Sequence, residues 1–374
     1  MMHFADALEV SGFNDRMDYL EELQVKNRAI ELFFSDNRLG VKLMPVIPSP
    51  LSEGYRTTTK RRARVTHTGF SFGVDEPLLT EPMEHHIIYS FIEQKLRSVP
   101  YRPLSEALNW VVIRGSYTNR VVIFNVRELN GSIVRKLKQM AEHLQKIETS
   151  VSAAHVYVAK SSDYYLEMER PADSLSFKQL FGPKELSLRL DGFSLKYPVT
   201  GFSQINESQV PNMLSAASDM AQLDSATRLI DLYCGYGLFS FGIGDKASEV
   251  MGVEWTGESI DCAKRSASYL KRNASFTAGR IDSKFIEKLP KANGDEVILL
   301  DPPRKGTLPG VIAAVAKRHP KRVVHIFCGT DEIPRSVEEW RKGGYEMKRV
   351  QPLDMFPHVR HMETLILFEP RNRV

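Results

Sequence analysis

The sequence predicts an α/β fold: a C-terminal domain over 199–374 built on a doubly wound, mostly parallel sheet, and an α+β region over 1–198. Three observations carry this. From Arg228 onward, short apolar strands alternate with helical stretches, the rhythm of a parallel sheet covered by helices on both faces. Before Tyr197 that rhythm is missing. The chain is 374 residues long with 42% hydrophobic and 26% charged residues, which is ample for two cores and an ordinary globular composition.

In the first part, apolar spacing predicts helices over Asp18–Phe34, Glu84–Leu96 and Ile133–Ile147. Stretches rich in β-branched residues predict strands over Trp110–Arg114, Arg120–Arg127 and Ala154–Val158, with Gly115–Asn119 as a hairpin loop, so antiparallel pairing is expected. The domain boundary, near Tyr197–Gly201, rests on the change of rhythm alone. In the second part strands are predicted over Arg228–Tyr233, Glu249–Glu254, Glu296–Asp301, Arg322–Phe327 and Thr364–Phe368. In doubly wound sheets the ligand crevice lies at the carboxyl ends of strands, so Asp231, Glu254, Asp301 and Cys328 are expected on one face.

Composition excludes several classes. The longest apolar runs, such as Val121–Phe124 and Val297–Leu300, fall far short of the roughly 20 residues that span a bilayer. The N-terminal residues show no secretory signal, so a cytoplasmic protein with no membrane partner is expected. Three dispersed cysteines, Cys234, Cys262 and Cys328, argue against a disulfide framework, a zinc ribbon or a four-thiolate iron-sulfur cluster. The net charge of +4 is small, but Arg56, Lys60, Arg61, Arg62 and Arg64 cluster, with His67, Phe70 and Phe72 following. Two readings are open: phosphate contact with stacking groups nearby, and a charged edge strand that blocks edge-to-edge pairing.

Chemistry concentrates in four places. Asp231-Leu-Tyr-Cys-Gly235-Tyr-Gly237 follows a strand and precedes a helical stretch, where glycines let a backbone approach a nucleotide-like cofactor; a simple tight turn is the alternative. Glu254, 17 residues after Gly237, is suited to accept hydrogen bonds from ribose hydroxyls. Asp301-Pro-Pro-Arg304-Lys-Gly306 forms a rigid turn in which prolines remove amide donors, leaving Asp301 for cofactor or substrate and Arg304 and Lys305 for phosphate. Cys328, at a strand-to-loop transition, is either a small core residue or a nucleophile. Finally, Asp354-Met-Phe-Pro-His358-Val-Arg360-His361-Met-Glu363 offers Glu363 as a general base, with Arg360 and the two histidines to bind phosphate or orient neighbours. A metal held by His358 and His361 is the weaker alternative, and no metal is expected.

Taken with Phe202-Ser-Gln204-Ile-Asn206, these motifs resemble, in order and spacing over residues 185–369, the RNA 5-methyluridine (uracil-C5) methyltransferases. The resemblance implies a class I S-adenosylmethionine-dependent methyltransferase domain of Rossmann-like fold preceded by an RNA-recognition region. It implies S-adenosylmethionine as cofactor, contacted by Gln204, Tyr233, Glu254 and Asp301 with the Gly235 and Gly237 turn. Cys328 carries over as the nucleophile and Glu363 as the base. Arg61, Arg62, Arg304, Arg360 and His361 are the expected RNA contacts. The sequence departs from the family pattern at Gly329-Thr330, beside the nucleophile, and at Leu238, where the family has an asparagine that contacts the cofactor.

Lack of a four-cysteine cluster and of a recognisable N-terminal β-barrel leans toward tRNA, at the T-loop uridine, over ribosomal RNA. An amino-group methyltransferase that uses Asp301-Pro-Pro, and a noncatalytic RNA-binding protein on the same fold, are the competing readings.

Overall fold

A computed structural model describes residues 2–67, 69–74, 77–159, 177–255, 257–291 and 294–371. The chain forms two compact units, one made of Met1–Ser52 with Ser208–Val374 and the other of Glu53–Glu207. The expected single boundary near residue 198 is thereby corrected: the first 52 residues fold with the C-terminal part.

The reason lies in the helices α1 (Phe4–Val10) and α2 (Tyr19–Asp36). Asp18 caps α2 by accepting from the Leu20 N–H at 2.9 Å. Val25, Ala29, Ile30 and Phe33 recur at helical spacing, and they share one apolar core with Ile298, Ile366 and Phe368 of the C-terminal sheet. Fully burying each such side chain is worth about 1.5–3 kcal/mol, so α2 has far more to gain in this core than as an isolated helix.

The unit Glu53–Glu207 contains β1 (Thr59–Thr66), β2 (Gly69–Gly73), α3 (Met83–Leu96), α4 (Arg102–Ala107), β3 (Leu108–Gly115), β4 (Arg120–Val126), α5 (Gly131–Ile147), β5 (Val151–Val158), β6 (Phe177–Phe181) and a hairpin of β7 (Glu185–Leu190) and β8 (Phe193–Pro198). Among the described residues its main sheet runs β2-β1-β3-β4-β5-β6. The expectation of antiparallel pairing holds except at β4 and β5, which are parallel because α5 carries the chain back across the sheet between them.

Strand β1 carries most of the basic cluster, and it is not an edge strand: β2 and β3 flank it. Alternation therefore sends its cations to opposite faces. Arg61 points inward, is 8% exposed, pairs with Glu81 at 2.5 Å and lies over the Tyr89 ring at 4.1 Å. Its charge is thus paired inside the unit. Arg62 faces outward over Trp110, with Lys60 against the same ring.

After α6 (Val210–Ala221) the first unit continues with β9 (Thr227–Leu232), α7 (Leu238–Gly242), β10 (Glu249–Glu254), α8 (Gly257–Leu270), β11 (Ala274–Ala278), α9 (Ser283–Lys288), β12 (Asp295–Leu300), α10 (Val311–Ala316), β13 (Arg322–Phe327), α11 (Ile333–Lys342), β14 (Tyr345–Leu353) and β15 (Glu363–Pro370). Its described sheet has the order β11-β10-β9-β12-β13-β15-β14. Strands β9 to β13 are parallel, and β15 runs antiparallel to both β13 and β14. All five strands expected here are present. The order reverses at β9, with β10 on one side and β12 on the other, which opens a crevice at their carboxyl ends. The β14 edge is covered by residues 43–47, whose Met44 and Ile47 N–H groups donate to Val350 and Pro352 carbonyls at 3.0 Å. Among the described residues no helix is long and apolar enough to cross a membrane.

If α2 is core to this unit, Phe33→Ala lowers stability by about 3–5 kcal/mol, read as a drop in the denaturant midpoint of a transition monitored through the C-terminal Trp340. Loss confined to a few tenths of that figure would mean α2 packs loosely.

Candidate active site

Strand β9 ends in Asp231, fully buried, whose Oδ2 accepts from Ser240 Oγ at 2.6 Å while Oδ1 has no hydrogen-bond partner. Burial, then the Glu254 carboxylate, pushes this carboxyl up to about 7. The turn that follows is tight: Tyr233, Gly235 and Gly237 have φ of 66°, 54° and 92°. A Cβ at Gly237 would also meet the Phe241 ring at 2.6 Å, whereas above Gly235 there is open space to 4 Å. The Gly235 N–H donates to Glu254 Oε2 at 3.0 Å and ties the turn to the end of β10. The buried Tyr233 hydroxyl has no partner, and Leu238 is packed at the start of α7.

Across the switch point β12 delivers Asp301, half-buried, and the exposed turn Pro303-Arg304-Lys305. On the next strand, β13, Phe327 pairs with Thr364 of β15, so Cys328 and Glu363 are the next facing positions. Cys328 is half-buried and its thiol lies 3.8 Å from the Pro302 carbonyl, whereas Cys234 and Cys262 are buried. The thiol is thus the accessible one among the three.

Charge is crowded here. Burial, then the carboxylates of Glu363, Asp231 and Glu254, pushes Asp301 well up from the ordinary range. Glu363 is 3% exposed; burial lifts it to about 7 and Arg304 opposes the rise. Burial, then Glu363 and Asp301, pushes the Cys328 thiol up, again with Arg304 opposing. Arg304 also donates toward His361 Nε2 at 3.5 Å and lies 5.9 Å from the Phe356 ring centroid. A carboxyl poised near neutrality beside a reachable sulfur is suited to proton transfer coupled to nucleophilic attack.

The loop between β14 and β15 shows what sequence reading missed. Asp354 is buried and accepts from Lys26 Nζ of α2 at 2.8 Å. Lys26 also lies 2.7 Å from Glu22 and donates to the Phe356 carbonyl at 3.0 Å. Glu22 accepts from the His358 N–H at 2.8 Å and lies 3.1 Å from His358 Nδ1. His358 is 5% exposed and turned toward Glu22. The sequence held a signal: Glu22 and Lys26 fall on the same helical stripe as Val25, Ala29 and Phe33. Gln209, also unforeseen, donates to the Asp354 carbonyl at 3.1 Å.

Arg360 and His361 are exposed on the same loop, with Arg360 5.8 Å from the Phe13 ring. Gln204 and Arg62 belong to the other unit, where the Gln204 carbonyl accepts from Thr57 Oγ1 at 3.1 Å. Among the described residues no group of three or more His, Cys, Asp or Glu side chains is arranged to hold a metal ion.

The departures at Gly329 and Thr330, beside Cys328, have structural counterparts. A Cβ at Gly329 would meet the Arg304 carbonyl at 2.8 Å, so glycine permits the loop after Cys328 to press against the Arg304 turn. Thr330 Oγ1 donates to the Met362 carbonyl at 3.4 Å, next to Glu363.

Comparison with known proteins agrees with the motifs. Residues 137–275 match the family described as tRNA (uracil-5-)-methyltransferase. A Bacillus cereus protein described as an uncharacterized RNA methyltransferase is 34% identical over 167 residues, 44% of this chain and 36% of that protein. A Klebsiella pneumoniae 23S rRNA (uracil(1939)-C(5))-methyltransferase, RlmD, is 31% identical over 182 residues, 48% of this chain and 42% of that protein. The chain thus aligns with less than half the length of either relative. The crystal structure of Pyrococcus abyssi tRNA (uracil-54, C5)-methyltransferase, in complex with S-adenosyl-L-homocysteine, superposes with a TM-score of 0.68 at 21% identity, covering 94% of this chain and 84% of that one. That likeness shows the fold, which is the class I methyltransferase fold expected from the sequence.

Protonation of Glu363 predicts a pH signature. Its folded value of about 7 lies above the ordinary 4.5, so the folded state holds a proton that the unfolded state has lost, and this group's contribution to stability falls as pH rises between those values. Glu363→Gln should therefore gain stability relative to wild type from pH 4.5 to 7, by up to ~3 kcal/mol, and level off above. Parallel stability curves for the two proteins across that range would refute the assignment.

Proposed function

We propose that this chain, a relative of the RNA uracil-C5 methyltransferases, methylates carbon 5 of a uridine in RNA with S-adenosylmethionine as donor. The observation that carries the reading is the facing pair Cys328 and Glu363 at the mouth of the crevice that also holds the glycine turn. The residues present fit the cofactor: open space above Gly235, an unpartnered oxygen on Asp231 and Glu254 at the end of β10 suit a nucleoside, and the crowded carboxylates suit a cationic group. Tyr233, Gly235, Gly237, Glu254 and Asp301 would hold it. When bound, it supplies an electrophilic methyl group.

Carbon 5 of uracil is a poor nucleophile. Addition of the Cys328 thiolate to carbon 6 places electron density on carbon 5 and activates it. Arg304 favours the thiolate against the neighbouring carboxylates. Once carbon 5 is methylated, Glu363 accepts its proton, the ring double bond re-forms, the sulfur–carbon 6 bond breaks and the sulfur departs as thiolate. A base within a duplex or folded loop must leave its stack to be reached, at a cost of a few kcal/mol that phosphate contacts offset. Arg304, Arg360 and His361 at the crevice, with Arg62 on the other unit, are the candidate contacts.

The substrate is read as tRNA, at the T-loop uridine. Likeness in fold to a tRNA enzyme over nearly the whole chain supports this, and three cysteines cannot form a four-thiolate cluster. A named relative that acts on 23S rRNA keeps ribosomal RNA as the second reading.

RNA in which 5-fluorouridine replaces uridine should trap the protein as a covalent adduct stable to denaturation, because fluorine cannot leave as a cation. Cys328→Ala should abolish the adduct, and Glu363→Gln should lower turnover by about 10²–10⁴-fold. Methylation at an exocyclic amine, found by mass analysis of the nucleosides, would select the amino-group alternative; unmodified tRNA and 23S rRNA transcripts assayed side by side distinguish the substrates. Lack of any turnover with either RNA would favour a noncatalytic RNA-binding protein.

A further inference from the structure

The segment that leads into Glu363 is held at three successive alternate residues by one turn of a helix more than 300 residues away in sequence. Lys26 reaches Asp354 and the Phe356 carbonyl, and Glu22 reaches the His358 backbone and ring. Glu22, Lys26 and Asp354 are fully buried, and His358 nearly so. His358 is held with φ of 61°, a backbone conformation that a non-glycine side chain disfavours. Phe356, fixed between these grips, presents its ring to Arg304 and His361 at 5.9 and 6.2 Å, and the chain then enters β15 at Glu363.

Ion pairs this deeply buried contribute little net stability compared with well-packed apolar side chains, since desolvation consumes most of the Coulombic gain. Their directional hydrogen bonds, however, fix a loop in a way that apolar contact does not. We propose that Lys26 and Glu22 are positioning residues that set where Glu363 stands relative to Cys328. The inference rests on the reading in which Glu363 removes the carbon 5 proton. That step comes after nucleophilic addition, so mispositioning Glu363 should leave addition intact and stall the cycle at the methylated adduct.

The test uses the full chain with two RNAs, one containing uridine and one 5-fluorouridine, and scores adduct on denaturing gels beside methylated nucleoside. For Lys26→Met and Glu22→Gln, adduct formation on the 5-fluorouridine RNA should match wild type. Turnover on the uridine RNA should fall by on the order of 10²-fold, and adduct should now persist on that RNA. Lys26→Arg should recover part of the turnover.

Equal loss of adduct formation and turnover in the variants would make the network merely structural, and turnover at the wild-type rate would show that it does not position Glu363; either overturns the inference. Should Lys26→Met fail to fold, Glu22→Gln, which keeps the shape and an acceptor, decides alone. If the wild-type protein forms no adduct on 5-fluorouridine RNA, the catalytic reading fails and the positioning inference that rests on it falls with it, a result distinct from any seen only in the variants.

Discussion

Like charges in one desolvated crevice are the constraint on which the rest of this structure depends. Burial first raises the proton affinity of Asp231, Asp301, Glu363 and the Cys328 thiol, which come from different strands, and neighbouring carboxylates add to the rise at Asp231, Asp301 and Cys328. Full ionisation of all of them in low dielectric would be severely unfavourable. The fold responds in several ways: Ser240 and the Gly235 N–H donate to Asp231 and Glu254, and Arg304 opposes the rise at Glu363 and Cys328.

Much of this architecture could be read from residues alone. The central strands appear as short apolar runs because a parallel sheet covered on both faces buries every position, and the polar residues that end them mark the crevice. Glycines at 235 and 237 announced a turn whose φ values require them. Where the reading failed, the deciding information was nonlocal. The basic run at 56–64 gives no sign of which cations point inward, and only its place between two other strands turns Arg61 toward Glu81 and Tyr89. The parallel pairing of β4 with β5 was visible in principle, since a 17-residue helix separates them and a hairpin would not need one.

The boundary error has the same origin. Helical periodicity identified α2 but could not say which core receives its apolar face, and the answer lies in strands near the far end of the chain. Glu22 and Lys26, charged residues on the inward stripe, were the one local hint that this helix does more than pack. The departures at Gly329 and Thr330 likewise look like losses against the family pattern. In three dimensions they are contacts, one allowing close approach to the Arg304 turn and the other reaching the residue before Glu363.

Because one unit is assembled from both ends of the chain, its history during synthesis differs from that of its neighbour. Glu53–Glu207 is continuous and can finish folding as it leaves the ribosome. Lys26, by contrast, emerges 328 residues before Asp354, and at roughly 5–20 residues per second that is an interval of about 15 to 65 s. Throughout it the nascent helix carries an ammonium group without its eventual acidic partner on the tail, and an apolar stripe without its sheet. Completion of this unit therefore waits on the last part of the chain to be made.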